Sequence, residues 1–126
     1  MIRFTIPGLH SWQRPRAHVV NGKAIMFTDG QTRAYVQLVA ILAAQAIREP
    51  LTGHYGVNVT AYTKNKRSRD CDRVLNGVLD GLVKSKRVPD DRNCWQQSVR
   101  RRLTDGEERI EVEVFEMEPV REGALV

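Results

Sequence analysis

Ile2, Phe4 and Ile6 alternate with Arg3 and Thr5, and this period of two predicts a half-buried strand that Pro7-Gly8 brings to an end. Residues 18–20 and 23–27 flank Asn21-Gly22, a dipeptide suited to a two-residue hairpin turn, so two short strands are expected there. Val36, Val39, Ala40, Ala43 and Ile47 then fall at helical spacing. They predict a helix over residues 32–48, with Thr28 or Asp29 capping its free amides and Pro50 preventing its continuation. Alternation returns from Tyr55 to Thr63, with Val57, Val59 and Ala61 on one side, as in a strand that lies inside a sheet. A second helix is expected over residues 72–84, where Val74, Leu75, Val78, Leu79, Leu82 and Val83 share the helical period. Residues 93–103 and 108–117 flank Thr104-Asp105-Gly106-Glu107 and read as a further hairpin. A two-residue turn at Asp105-Gly106 would set Val99 opposite Val112 and Arg100 opposite Glu111, giving one apolar and one ionic face. The pattern predicts an α+β fold, a mixed β-sheet with two α-helices packed against it.

Length and charge narrow the class. At 126 residues the chain is expected to form one domain, residues 1–126, with a mobile tail from Pro119. The net charge of +5 and a pI near 9.6 favour an acidic partner such as nucleic acid. Cys71 and Cys94 make neither a disulfide framework nor a four-ligand zinc site, and His10, His18 and His54 lack ligand spacing. Residues 1–4 open no long apolar segment and no run reaches the length of a membrane span, so a cytoplasmic protein with no membrane partner is expected.

The candidate chemistry gathers at Arg69-Asp70-Cys71-Asp72-Arg73-Val74-Leu75-Asn76. Two carboxylates two residues apart at a strand-to-helix junction can hold a hard divalent cation such as Mg2+; they also suit a helix cap beside a solvated acid, and Asp72 is a candidate for that cap. Asp90-Asp91 supplies a second acidic point, and Lys64, Lys66, Arg67 and Arg69 crowd the approach to the first. Acids from two segments among bases fit a phosphodiester substrate, whose backbone the bases hold without reading sequence. Gln13-Arg14-Pro15-Arg16 forms a basic loop in which Arg14 and Arg16 are candidate phosphate contacts. Trp12 beside it can stack on an exposed base or pack. Gly77 and Gly81, four residues apart, permit a close approach, either of a second subunit or of a strand of the same chain.

The run from Arg69 to Leu82 followed by Asp90-Asp91 resembles the RusA family of Holliday junction resolvases, whose pattern is Asp-x-Asp-Asn-x-x-Lys, an apolar helix ending in Asp-Ala-Leu, then Asp-Asp. Phe4-Thr5-Ile6-Pro7-Gly8, Gln13-Arg14-Pro15-Arg16 and Phe27-Thr28 are similar to the amino-terminal pattern of the same family. The resemblance implies that Asp70, Asp72 and Asp91 are essential acids holding Mg2+, or Mn2+ in its place, with Arg69 as the basic residue ahead of them. It departs at one point: Arg73 and Asn76 stand where the family has Asn and Lys. Residues three apart share a helix face, so either the cation and the amide have exchanged places or the catalytic Lys is lost.

The function implied is a metal-dependent endodeoxyribonuclease that resolves four-way DNA junctions by paired symmetric nicks in recombination and repair. The setting implied is a bacterial cell or its bacteriophage. Two coordinated nicks suggest a homodimer with two sites and no small-molecule cofactor. The competing readings are a junction- or duplex-binding protein without cleavage, and a metal nuclease for another branched nucleic acid.

Overall fold

The structure, a computed structural model, describes residues 1–13, 16–27, 29–66 and 70–123, with the side chains of Arg16 and Phe27 set aside. Its elements are β1 (Ile2–Pro7), β2 (Arg16–Val20), β3 (Lys23–Phe27), α1 (Gly30–Ala46), β4 (Tyr55–Thr63), α2 (Cys71–Lys84), a 3-10 turn (Asp91–Asn93), β5 (Cys94–Leu103) and β6 (Arg109–Glu116). The fold is α+β, as the hydrophobic pattern predicts. Four strands form a sheet in the order β1-β6-β4-β5, and β2 and β3 form a separate two-stranded sheet. At the tip of that hairpin Asn21 and Gly22 take φ of 51° and 76°, the left-handed pair that a tight turn between twisted strands requires.

β4 lies inside the sheet because its side chains suit no other place: Tyr55, Val57, Val59 and Ala61 are all buried. They meet Tyr35, Val39, Ala43 and Ile47 of the α1 segment, Val74, Val78 and Leu82 of α2, and Ile110, Val112 and Val114 of β6. Burying each large apolar side chain contributes about 1.5–3 kcal/mol.

The last two strands depart from expectation. They do not form a hairpin: β4 stands between them, paired in parallel with β5 and antiparallel with β6. Val99 and Val112 are nevertheless level, because both face Val59. The row is the expected one with a strand inserted into it. A central strand needs neighbours on both edges to pair its backbone. Residues 104–108 are long enough to cross the ~10 Å that two strand spacings demand, as a two-residue turn is not. Arg100 therefore donates from Nε to Thr60 Oγ1 at 3.1 Å, while Glu111 accepts from Arg109 at 3.3 Å.

The two helices pack on each other through the glycines. A Cβ on Gly77 would run into the Tyr35 ring, and one on Gly81 into Val39. The small residues thus receive α1, neither a strand nor a second subunit. Tyr35 donates from its hydroxyl to the Val74 carbonyl at 2.7 Å, and burial pushes its phenol above the ordinary value. Because Tyr35 meets Gly77 and Val39 meets Gly81, α1 and α2 run parallel. α1 begins at Gly30, with Asp29 Oδ1 accepting from the Thr32 amide at 2.8 Å; the alternative cap, Thr28, lies outside the described residues. Of the tail expected to be mobile, residues 119–123 belong to no strand or helix and residues 124–126 lie outside the described set.

Candidate active site

Asp70 precedes α2 in an extended conformation, and its Oδ1 accepts from the Asp72 amide at 3.0 Å. Asp70 is therefore the cap that sequence offered to Asp72, since the residue ahead of the first turn is the one whose side chain can turn back to the free amides. The other Asp70 oxygen, Oδ2, pairs with Arg73 Nε at 3.3 Å, with both side chains 53% exposed. An ion pair this open to solvent contributes little stability, but it keeps a guanidinium beside the carboxylate. Asp72 is exposed in the first turn, and Asn76 is half-buried one turn further on. Asp70, Asp72, Arg73 and Asn76 thus share the amino-terminal end of α2.

Asp91 does not join them. It opens the 3-10 turn that Asp90 caps by accepting from the Arg92 amide, and Asp90 also pairs with Arg92 Nη2 at 3.3 Å. Tyr55 donates its hydroxyl to the Asp90 carbonyl at 3.0 Å, and Leu51 its amide to the Arg87 carbonyl at 2.8 Å. These bonds fix the segment after α2 to the start of β4. The register agrees, with Cys94 level with Tyr55 and Leu103 level with Thr63. α2 spans its 14 residues from one end of β4 to the other, so about 20 Å of helix separates Asp70 and Asp72 from Asp91. Among the described residues, no group of three or more His, Cys, Asp or Glu stands close enough to hold a metal ion. One chain therefore does not fit the three-acid cation site.

The Asp90-Asp91 pair has its own electrostatics. Hydrogen bonding between the two carboxyl groups pushes Asp91 up and holds Asp90 down, the latter helped by the Arg92 amide. Nearby Cys94 is pushed up by burial, and so is the Tyr55 phenol, with Cys94, Asp91 and Asp90 adding to it.

Basic residues collect at the Asp70 end. Lys64 and Lys66 are exposed on the segment leaving β4, and the Lys64 amide donates to Glu108 Oε2 at 3.0 Å. Lys66, Arg101 and Arg102 line one cavity of about 250 Å³ with Thr63 and Leu103. Arg101 and Arg102 are additions that sequence reading missed. Their signal was the Arg100-Arg101-Arg102 run, of which sequence reading placed only Arg100, on the ionic face of a hairpin that does not form. Arg14, Arg67 and Arg69 lie outside the described residues, and Arg16 begins β2 with its side chain set aside. Trp12 is packed: its amide donates to the Arg73 carbonyl at 3.2 Å and its indole to Asp80 Oδ2 at 2.7 Å. It is thus not the free stacking platform considered from sequence.

Comparison with protein families matches residues 10–115 to Endodeoxyribonuclease RusA. The chain belongs to the RusA family. No curated protein matches its sequence. Membership of the RusA family makes junction-resolving endodeoxyribonuclease activity the class of function, with branched DNA as substrate. The match spans both clusters of this RusA chain, at α2 and at Asp90-Asp91. Among the described residues no helix is long and apolar enough to cross a membrane.

Proposed function

We propose that the protein resolves four-way DNA junctions by paired symmetric nicks, acting as a homodimer that depends on Mg2+ or on Mn2+ in its place. The observation that carries this reading is the shared location of Asp70, Asp72 and Arg73 with Lys64, Lys66, Arg101 and Arg102 at one end of the sheet. The lysines and arginines neutralise the phosphate backbone and set its position without reading bases. Arg73, held at the Asp70 carboxylate, supplies the positive charge that the family's Lys would bring from the next turn. Asp70, Asp72 and Asp91 are the proposed ion-holding acids, and the separation of Asp91 from the other two makes the second subunit part of the proposal.

The test incubates the full chain with a four-way junction and a matched duplex, with Mg2+ and with EDTA. Symmetric metal-dependent nicks restricted to the junction are expected. Retention without cleavage would make the protein a binding protein, and cleavage of both substrates a general nuclease.

A further inference from the structure

The ribbon made by β2 and β3 stands apart from the core. Every residue from Ala17 to Met26 is exposed, and a two-stranded hairpin with nothing packed on it is at best marginally stable in water. Its register sorts the side chains onto two faces. Ala17 is level with Met26 and Val19 with Ala24, while His18 is level with Ile25 and Val20 with Lys23. Residues level with one another project to the same side of a pleated pair. Ala17, Val19, Ala24 and Met26 therefore make one face wholly apolar, and the other carries His18, Val20, Lys23 and Ile25. The wholly apolar face is also the more open: Val19 and Met26 are 78% and 65% exposed, against 43% and 42% for Val20 and Ile25. An apolar surface left outside in this way marks a contact.

The roots of the ribbon point to the occupant. Ahead of β2, the Trp12 amide donates to the Arg73 carbonyl at 3.2 Å and the Gln13 amide to Thr32 Oγ1 at 2.9 Å. After β3, Asp29 accepts from the Thr32 amide as it caps α1. Both roots are thus held beside Asp70 and Arg73, at the candidate active site. Strands of five residues reach about 15 Å, beyond the ~8.5 Å depth of a major groove. Charge selects a polyanion: residues 1–28 hold Arg3, Arg14, Arg16 and Lys23 and no Asp or Glu. Side-chain chemistry selects how the polyanion is met. Reading base edges takes hydrogen-bonding side chains, which the open face lacks. Aliphatic side chains instead wedge between base steps and unstack them, at least cost where pairing and stacking are already interrupted. A four-way junction is interrupted at its branch point.

We infer that the β2–β3 ribbon is a wedge, and that Val19 and Met26 enter the branch point of a DNA junction and unstack the bases there. The inference rests on branched DNA being the substrate.

The test places aminopurine, a fluorescent adenine analogue that brightens on unstacking, at the branch point of a four-way junction, in EDTA so that the strands stay whole. Wild type is expected to bind and brighten it. The double variant Val19→Thr, Met26→Thr, whose β-branched side chains still favour strands, is expected to lose the rise, and Val19→Ile, Met26→Leu to keep it. Circular dichroism and thermal melts of both variants should match wild type, since the ribbon supplies no core residue. A rise as large with the Thr variant as with wild type, or wild type bound without a rise, overturns the wedge. A Thr variant that sediments as a smaller species than wild type would seat a second copy on the apolar face and overturn it as well. A wild type that brightens the junction but never nicks it in Mg2+ loses the nuclease reading alone; one that nicks without brightening loses the wedge alone; one that does not bind the junction loses both.

Discussion

The indole nitrogen of Trp12 donates a 2.7 Å hydrogen bond to the Asp80 carboxylate, tying the segment after β1 to the middle of α2. Burial pushes the Asp80 carboxyl up, against the opposing pull of the indole. A raised folded value means that this residue's stabilisation is fullest below the ordinary carboxylate range and is lost as pH rises through the folded value. Asp80→Asn keeps an acceptor for the indole and removes the cost of the charge. It is expected to gain stability relative to wild type at pH 7 compared with pH 3. Asp80→Ala loses the bond and about 1–2 kcal/mol. Thermal melts of the three proteins at both pH values check this; an Asn variant offset equally at both would refute it.

Gly77 touches the Tyr35 ring so closely that no Cβ fits. Gly77→Ala is expected to lose about 1–3 kcal/mol from overpacking, although Ala is intrinsically worth ~1 kcal/mol more than Gly in a helix. Gly30→Ala, where a Cβ meets nothing, should lose none. Urea unfolding midpoints of both variants measure the contrast.

Asp70 has a structural role that can be separated from a chemical one. Asp70→Asn retains an oxygen for the Asp72 amide, so its unfolding midpoint should stay near wild type. Asp70→Ala loses the cap and about 1 kcal/mol. Both are expected to abolish junction nicking; nicking by Asp70→Asn at the wild-type rate would remove Asp70 from the chemistry.

Arg73 is expected to replace the family's Lys. Arg73→Ala should slow nicking by about 10²–10³-fold, the typical loss when one electrostatic donor is removed, with junction binding little changed. Adding Asn76→Lys to that variant should restore part of the rate. Unimpaired nicking by Arg73→Ala would show that the cation and amide have not exchanged roles.

The cavity shared by Lys66, Arg101 and Arg102 predicts a salt effect. Lys66→Ala and Arg102→Ala should each lower the slope of log affinity against log salt by about 0.9 if each contacts one phosphate. Junction binding titrated at several salt concentrations gives the slopes.

Local pattern carried most of the fold. Alternation in β1 and β4, the Asn21-Gly22 turn and the apolar period of α2 each reflect short-range chemistry, and each element formed within about two residues of expectation. What local pattern missed was the company that elements keep. The 93–103 and 108–117 segments looked like hairpin partners because they are neighbours in sequence with matching rows, yet β4 matches both rows equally well and has more apolar surface to cover. The same misplacement hid Arg101 and Arg102. The Asp70 and Asp72 pairing was legible from spacing, whereas the position of Asp91 depends on α2 running the whole length of β4, which no motif spacing encodes.

The parallel packing of α1 on α2 has a further effect. Peptide dipoles in both helices point the same way, so their positive ends add at the end capped by Asp29 and Asp70. Lys64, Lys66 and Arg102 lie toward that end of the sheet as well. The protein is thus electrically lopsided, and a polyanion diffusing past would be turned toward one pole before any side chain touches it, faster in dilute buffer than in concentrated salt.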